Sequence, residues 1–500
     1  MAKKIAIITG PLLALIIILF FDLDPGNRNV TLTAAVAVWM AVWWITEAIP
    51  IAATALLPVA LFPLLGVAEG RVIAEKYFNH IIFLFMGGFM IALALQRWNL
   101  HKRIALKIML LIGTSPSRII LGFMAASFFL SMWISNTATV MMMLPIAMAV
   151  IAKLEDSFEK PGVDKVATSL LLGTAYASSV GGMATLIGTP PNLAFAKIFE
   201  ETFPAAPEIS FAGWIMFSLP ISLIFLFSIW VFMSFKARMG KGRRAADRSI
   251  FMEEYRKLGT FSYEEKVVLI DFLILALLWL FRNPIPIGDF TIPGWSSLLP
   301  VPEFIDDGTV SITMALILFL IPSKSRPGRM IMDWKTAVSL PWGIVILFGG
   351  GFALAYAFKA SGLSEWIGSQ LGGLSTLHPL LIIAVICLTM TFLTELTSNT
   401  ATTQTILPII AGVAIGIGVN PLLLMIPATL SASCAFMLPV ATPPNAIVYG
   451  GGRFRIATMA KAGIVLNFFG VLLISLGFYF MGRIILGVEL GIFPDWAMAQ

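Results

Sequence analysis

Long apolar segments alternate with short polar ones along the whole chain. Many of the apolar segments approach the length that a hydrocarbon core of about 30 Å requires of a helix. We predict eleven membrane crossings, which span about residues 5–22, 31–48, 51–66, 80–97, 167–198, 211–236, 265–281, 309–322, 337–360, 422–450 and 461–488. Two further apolar segments, near 105–153 and 378–418, do not fit as crossings.

The first of these two segments has an unusual length. Between Arg118 and Lys153 lie 34 residues without a charge. A helix of that length would extend about 50 Å, which is too long for one crossing, whereas two crossings need roughly 40 residues plus a turn. Basic residues flank both ends, so both ends belong on the cytoplasmic side. We therefore predict a re-entrant helical hairpin whose tip, between Ser135 and Asn136, lies near mid-membrane.

The second segment predicts a second hairpin with the opposite orientation. Its apolar run from Pro379 to Asn420, in which Glu395 is the one charged residue, has its midpoint at Asn399. Five predicted crossings separate the start of one hairpin from the start of the other, and this number is odd. The two halves therefore form an inverted repeat, in which one hairpin opens inward and the other outward.

Two polar motifs are duplicated inside these apolar halves. Ser135-Asn136-Thr137 recurs as Ser398-Asn399-Thr400 at an interval of 263 residues. Thr189-Pro190-Pro191-Asn192 recurs as Thr442-Pro443-Pro444-Asn445 at an interval of 253 residues. Matched helix-interrupting motifs in the two halves of a membrane protein indicate the binding site of a secondary transporter.

Composition and charge agree with this interpretation. Of the 500 residues, 58% are hydrophobic and 12% charged, about half the charge of ordinary soluble domains. With the amino terminus inside, all but seven of the 33 Lys and Arg residues fall on the cytoplasmic side, as the positive-inside rule requires. The seven are Arg28, Arg71, Lys76, Lys197, Arg282, Lys359 and Arg483. We predict a plasma-membrane protein of the bacterial inner-membrane type, with a cytoplasmic amino terminus, an extracytoplasmic carboxyl terminus and no nucleic-acid partner.

The hairpin tips suit anion binding. Helix amino termini carry partial positive charge and unpaired N–H donors, so the returning helices near Thr137 and Thr400 are expected to attract anions. Thr189 and Thr442 are predicted N-caps, each followed by a proline at the first helical position. We expect these four helix starts to face one central site.

Neutral oxygen atoms beside the same tips suit monovalent cations. Carbonyl ends of broken helices bind Na⁺ in transporters. The side chains that add oxygens here are Ser131, Ser135, Asn136, Thr394, Thr397 and Asn399. Neither motif contains Lys, Arg or His, so the charge of a bound dianion must be balanced by helix ends and co-bound cations. Glu395 is either a proton or cation ligand or a structural partner within the membrane.

The duplicated motifs, the hairpins and the number of crossings resemble the divalent anion/sodium symporter family, which includes the INDY proteins and the sodium-coupled dicarboxylate and citrate carriers. The resemblance covers nearly the whole chain. It implies a homodimer in which a transport domain moves like an elevator against a scaffold domain. The divisions it suggests are scaffold helices at 1–78, a first repeat at 79–235, a cytoplasmic interfacial segment at 236–266, linking scaffold helices at 267–335 and a second, inverted repeat at 336–488.

The same resemblance assigns ligand-binding roles. A first sodium site would involve Ser131, Ser135, Asn136 and the backbone at Gly188, and a second would involve Thr394, Thr397, Asn399 and the backbone at Ala441. Substrate carboxylates would contact Asn136, Thr137, Thr189, Asn399, Thr400, Thr442 and Pro443.

The residue patterns predict cation-coupled anion transport, and the family resemblance implies Na⁺-coupled symport of C4 dicarboxylates such as succinate, malate and fumarate, with Na⁺ as coupling ion and no other cofactor. A Na⁺-independent dicarboxylate exchanger, a symporter of citrate or sulfate, and an anion channel remain alternatives. An enzyme is the weakest alternative, because the polar motifs contain no nucleophile–base pair and no cluster of metal ligands.

Overall fold

The computed structural model describes residues 2–157, 160–237, 249–287, 290–370, 373, 377–489 and 492–498. The first half contains helices α1 (Ala2–Phe20), α2 (Arg28–Thr46), α3 (Ile51–Thr54), α4 (Leu57–Leu64), α5 (Gly70–Glu75), α6 (His80–Arg97), α7 (Leu100–Ile112), α8 (Pro116–Ser131), α9 (Asn136–Ser157), α10 (Lys160–Met183), α11 (Pro190–Thr202) and α12 (Phe211–Lys236). The second half contains α13 (Ser249–Lys257), α14 (Tyr263–Leu280), α15 (Asp307–Leu320), α16 (Trp334–Ala337), α17 (Trp342–Ala360), α18 (Leu363–Gln370), α19 (Pro379–Thr394), α20 (Asn399–Ile417), α21 (Leu422–Ser431), α22 (Pro443–Gly450), α23 (Ile456–Leu486) and α24 (Asp495–Met498).

The link between α14 and α15 is not helical throughout. It holds an antiparallel pair of short strands, β1 (Ile285–Ile287) and β2 (Phe290–Ile292), in which Ile285 pairs with Ile292. Two 3₁₀ turns, Trp295–Leu298 and Pro302–Phe304, follow the strands. In the described parts of the chain the architecture is otherwise built from helices.

Most helices match the predicted crossings. Within the described ranges, eight helical segments are long and apolar enough to cross a membrane, and five shorter apolar helices accompany them. The predicted crossings at 80–97 and 211–236 coincide with α6 and α12. The prediction of an all-helical polytopic membrane protein is therefore confirmed.

Both predicted hairpins are present as pairs of helices joined by a short break. Residues 132–135 separate α8 from α9, and residues 395–398 separate α19 from α20. The start that we predicted for the first hairpin, near 105, is wrong: residues 100–112 form the separate helix α7. Gly113, with φ at +109°, turns the chain there, and the hairpin begins at Pro116.

Two predicted crossings are interrupted in their middle. Residues 184–189 separate α10 from α11, and residues 432–442 separate α21 from α22. The helix after each break, α11 or α22, starts with a proline. At the first position of a helix the N–H group has no partner within the helix, so a proline costs no hydrogen bond there. The breaks leave main-chain polar groups inside the apolar region, which a membrane protein tolerates where protein or a polar cavity surrounds them.

Close helix packing explains the glycine pairs in the two halves. A Cβ atom at Gly87 would lie 2.4 Å from Oγ of Ser311, and one at Gly350 would lie 2.4 Å from the carbonyl oxygen of Ala55. Neither position has room for a side chain. These glycines therefore bring α6 against α15 and α17 against the segment between α3 and α4.

The predicted cytoplasmic interfacial segment is described in its second part. The helix α13 lies against α7, while residues 238–248 lie outside the described ranges. Arg103 of α7 is buried and pairs with Glu265, with Nε 2.7 Å from Oε1. Its guanidinium also donates to the carbonyl oxygens of Leu258 and Gly259, both at 3.1 Å. This charge-assisted network fixes the turn between α13 and α14.

Candidate functional site

The tip of the first hairpin is closed by its own polar side chains. Oγ of Ser131, the last residue of α8, donates a hydrogen bond to Oδ1 of Asn136, the first residue of α9. Oγ of Ser135 accepts from the N–H of Ala138 at 3.3 Å and so caps α9. The Asn136 side chain is thereby held at the junction of the two half-helices.

The loop between α10 and α11 packs onto this tip through Thr185. Oγ1 of Thr185 donates to the carbonyl oxygen of Met132 at 2.6 Å and accepts from the N–H of Gly188 at 3.0 Å. The hydrogen bonds orient the main chain that leads into α11.

The final asparagines of the Thr-Pro-Pro-Asn motifs make matching contacts in the two halves. Nδ2 of Asn192 donates to the carbonyl oxygen of Thr185 at 2.7 Å and to that of Gly182 at 3.1 Å. Nδ2 of Asn445 donates to the carbonyl oxygens of Leu438 at 3.1 Å and Ala435 at 2.9 Å, which lie 253 residues further along the chain. The sequence repeat is therefore repeated in the hydrogen bonding of both interrupted helices.

The tip of the second hairpin leaves an amide oxygen without a partner. Oγ1 of Thr397 lies 2.6 Å from Oγ1 of Thr402, while Oγ1 of Thr394 donates back to the carbonyl oxygen of Met390 at 3.0 Å. Oδ1 of Asn399 is buried and has no hydrogen-bond partner among the described residues. An unpaired buried acceptor is costly, so this oxygen is suited to a bound ligand.

Glu395 serves as a clamp behind the second tip. Its carboxylate accepts hydrogen bonds from the N–H groups of Phe436, Met437 and Leu438 at 2.7, 2.8 and 3.1 Å. Nδ2 of Asn467 in α23 adds a fourth at 2.7 Å. With four donors around it, the carboxylate fills the structural role that we considered from the sequence. The corresponding position of the first half is Met132, whose main-chain carbonyl is used instead.

One central cavity of about 790 Å³ brings the four helix starts together. Most of its polar lining comes from the beginnings of α9, α11, α20 and α22, as predicted, and Thr46 and Glu47 at the end of α2 add to it. The predicted site residues that line it are Ser135, Asn136, Thr137, Gly188, Thr189, Thr397, Asn399, Thr400, Ala441, Thr442 and Pro443. Ser131 and Thr394 do not line it and are buried behind the tips.

The two predicted threonine caps differ. Oγ1 of Thr442 accepts from the N–H of Asn445 at 3.3 Å, which confirms the cap of α22. Thr189 holds the N-cap position of α11, but its side chain makes no capping hydrogen bond. The predicted cap at Thr189 is therefore wrong in its side-chain role, because that hydroxyl does not bond the first turn of α11.

The residues that line the central cavity carry almost no charge. Among the described residues that line it, Glu47 is the one charged side chain, and the others are apolar, hydroxyl or amide groups and main chain. Positive potential for an anion must therefore come from helix amino termini and from cations. Sequence reasoning missed Glu47 and Phe89 as lining residues, because neither belongs to a duplicated polar motif.

A second cavity of about 650 Å³ offers a rival site between α6, α11 and the link before α15. Its basic side chain Arg282 is already paired with Asp307, with Nε 2.7 Å from Oδ1, and with Glu208. The acidic residues that line it are Glu200, Glu208, Glu303, Asp306 and Asp307. This excess of acid disfavours a dianion, so the central cavity is the better candidate for anion binding.

Comparisons with known proteins agree with the geometry. The family model described as the sodium:sulfate symporter transmembrane region matches residues 2–487. A sodium-dependent dicarboxylate transporter, SdcS, of Staphylococcus saprophyticus is 43% identical over 493 residues, which cover 97% of this chain and 93% of that protein. SdcS of Staphylococcus aureus is 43% identical over 494 residues, with 98% and 93% covered.

Two solved structures share the fold at low sequence identity. The YdaH transporter of Alcanivorax borkumensis aligns over 84% of this chain and 87% of its own, with a TM-score of 0.57 and 13% identity. MtrF of Neisseria gonorrhoeae covers 83% of each chain with a TM-score of 0.54 and 13% identity. The solved structures show the fold alone, whereas the sequence matches also identify the family. The chain therefore belongs to the divalent anion/sodium symporter family, whose members are membrane transporters.

Proposed function

We propose that this protein is a secondary transporter that couples the uptake of C4 dicarboxylates to Na⁺. The observation that carries the proposal is the central cavity, where four helix starts from two matched repeats meet without a basic side chain. A cavity of this kind binds a dianion well only when cations neutralise part of its charge. The two SdcS relatives are sodium-dependent dicarboxylate transporters, which supports the same coupling and the same substrate class.

The anion would be held by main-chain N–H groups and short polar side chains. We assign one carboxylate to Asn136, Thr137 and Thr189 and the other to Asn399, Thr400, Thr442 and Pro443. These residues line the cavity from the two repeats. Helix amino termini bind anions through unpaired N–H groups and the helix dipole, so each carboxylate would face positive potential without a fixed cation.

The Na⁺ ions would occupy neutral oxygen sets beside the tips. We assign the first ion to Ser131, Ser135, Asn136 and the carbonyl of Gly188, and the second to Thr394, Thr397, Asn399 and the carbonyl of Ala441. The close approach of the Gly188 backbone to the carbonyl oxygen of Ser131 and the unpaired Oδ1 of Asn399 support this assignment. Ser131 and Thr394 would contact the ions from behind the cavity rather than the substrate.

Transport would follow alternating access of one site. We propose a homodimer in which residues 1–78 and 267–335 belong to the scaffold and the two hairpins belong to a transport domain that moves like an elevator. The amino terminus would be cytoplasmic and the carboxyl terminus extracytoplasmic, as the distribution of Lys and Arg indicates.

Reconstituted protein provides the first test. Uptake of radiolabelled succinate into proteoliposomes is expected to rise steeply with an inward Na⁺ gradient and to saturate with succinate. Choline in place of Na⁺ is the control. Uptake that ignores Na⁺ but is stimulated by internal succinate would select the exchanger, non-saturating flux would select a channel, and stronger competition by citrate or sulfate would change the substrate.

Gly188→Ala tests the proposed first sodium site. A Cβ atom at Gly188 would lie 2.6 Å from the carbonyl oxygen of Gly182 and 3.0 Å from that of Ser131. The shift needed to relieve these contacts would displace the proposed ligands, so we expect the Na⁺ concentration for half-maximal succinate uptake to rise about tenfold or more. Gly450→Ala is the matched control, because a Cβ atom there would meet no heavy atom within 4 Å. An unchanged Na⁺ dependence in Gly188→Ala would contradict the assignment.

A further inference from the structure

Glu47 occupies an exceptional place at the central cavity. It follows the last residue of α2, and its backbone is left-handed, with φ and ψ both at 45°. In the described parts of the chain, Glu47 and Asn99 are the two residues other than glycine with positive φ. Such a conformation is unfavourable for a residue with a Cβ atom and persists only where the surroundings impose it, often at functional sites.

The surrounding contacts hold this turn from both sides. The N–H of Glu47 donates to the carbonyl oxygen of Trp43. Nε1 of Trp43 donates to the carbonyl oxygen of Ala6 in α1 at 3.1 Å, and Nε1 of Trp44 donates to that of Ile51 in α3 at 3.0 Å. The carboxylate is therefore presented to the cavity by a turn that is anchored to α1 and α3.

The carboxylate lies where the cavity reaches the surface. Its side chain is 57% exposed although it lines the cavity with Asn136, Thr137, Asn399 and Thr400. Nζ of Lys3 is 3.5 Å from Oε2 of Glu47, and the lysine side chain is 65% exposed. A pair this exposed is weak, so Lys3 reduces the negative potential of the mouth without abolishing it.

We infer that Glu47 acts as a cation-attracting group at the cytoplasmic mouth of the cavity and that Lys3 moderates it. A carboxylate here raises the local Na⁺ concentration and lowers that of a dicarboxylate, whose two charges are repelled more strongly than one. Na⁺ is thereby favoured to enter before, and leave after, the substrate on this face. The inference rests on the proposed Na⁺-coupled dicarboxylate transport. It adds a residue that sets the preference for Na⁺ over substrate at the cytoplasmic face of the protein.

The test uses everted membrane vesicles, whose outer face is the cytoplasmic one in the proposed orientation. Succinate uptake is measured against external Na⁺ at constant ionic strength for the wild type and for Glu47→Gln, Glu47→Asp and Lys3→Gln. Glu75→Gln is the matched control, since Glu75 is an exposed acid of α5, paired with Arg71, that does not line the cavity.

In Glu47→Gln we expect the half-saturating Na⁺ concentration to rise about threefold and the succinate KM to fall, because the negative potential is lost. Glu47→Asp should stay near the wild type, and Lys3→Gln should shift both values in the opposite direction. The differences should shrink at high salt, where the Debye length falls to about 3 Å.

Other outcomes would overturn either the role of Glu47 or the proposed function. Equal effects of Gln and Asp, or values for Glu47→Gln like those of Glu75→Gln, would overturn the inference and leave the transport function standing. If both Glu47 variants are unstable in detergent, the Lys3→Gln shift alone decides, and its absence overturns the inference. A wild type that shows no Na⁺-dependent uptake overturns the proposed function instead.

Discussion

Replacing Asn136 by alanine is expected to reduce Na⁺-driven succinate uptake by about 100-fold. The side chain begins α9 at the first hairpin tip, borders the central cavity and accepts a hydrogen bond from Ser131. In the proposed site its amide serves both the first Na⁺ and a substrate carboxylate. A hydrogen bond to a charged group contributes about 1.5–3 kcal/mol, so the loss of two such contacts gives an effect of this size.

The control for this experiment is an asparagine in a comparably special backbone position. Asn99 is left-handed, with φ at 56°, and makes no capping hydrogen bond. Asn99→Gly keeps that conformation available and should transport like the wild type. The same measurement on Asn399→Ala is expected to give a loss similar to that of Asn136→Ala. Normal Na⁺-driven uptake in either cavity variant would refute the assignment of the two tips to ligand binding.

Glu395→Ala is expected to lower the free energy of unfolding in detergent by about 3–5 kcal/mol. The carboxylate is 3% exposed and satisfies three consecutive main-chain N–H groups, those of Phe436, Met437 and Leu438. Truncation would leave these donors and the Asn467 amide without their acceptor in a buried environment. The second tip and the loop before α22 would lose their common anchor.

Thermal unfolding in detergent, followed by a fluorescent thiol probe or by light scattering, measures this effect. The exposed Glu75→Ala should unfold at the wild-type temperature, because its pair with Arg71 is open to solvent. Glu395→Gln, which keeps one acceptor oxygen, should lie between the wild type and alanine. A thermally stable Glu395→Ala that has lost its Na⁺ dependence would instead support a cation-ligand role for this carboxylate.

The hairpins could be predicted because their signal is local. An uncharged run of 34 residues is too long for one crossing and too short for two, and its midpoint coincides with the break observed before Asn136. Polar motifs at matched intervals then located all four helix starts that meet at the cavity. Length, charge and repetition are properties of the chain itself and need no tertiary contact.

The features of the site that could not be predicted from the sequence depend on contacts between residues far apart in the chain. The clamp at Glu395 joins main-chain groups more than 40 residues away and an asparagine 72 residues away. Glu47 reaches the cavity because a strained turn and two tryptophan hydrogen bonds place it there. The first hairpin was predicted to begin too early because the apolar residues at the end of α7 are separated from those of α8 by a short polar break, and Gly113 marks the end of α7.

A structure of the reconstituted protein determined with Na⁺ and succinate would show whether both repeats bind one substrate molecule. We expect succinate density in the central cavity, with one carboxylate within hydrogen-bond distance of Asn136 and Thr137 and the other within that distance of Asn399 and Thr400. Succinate bound instead in the cavity beside Arg282, or held by one hairpin tip alone, would contradict the proposed binding of one substrate molecule by both repeats.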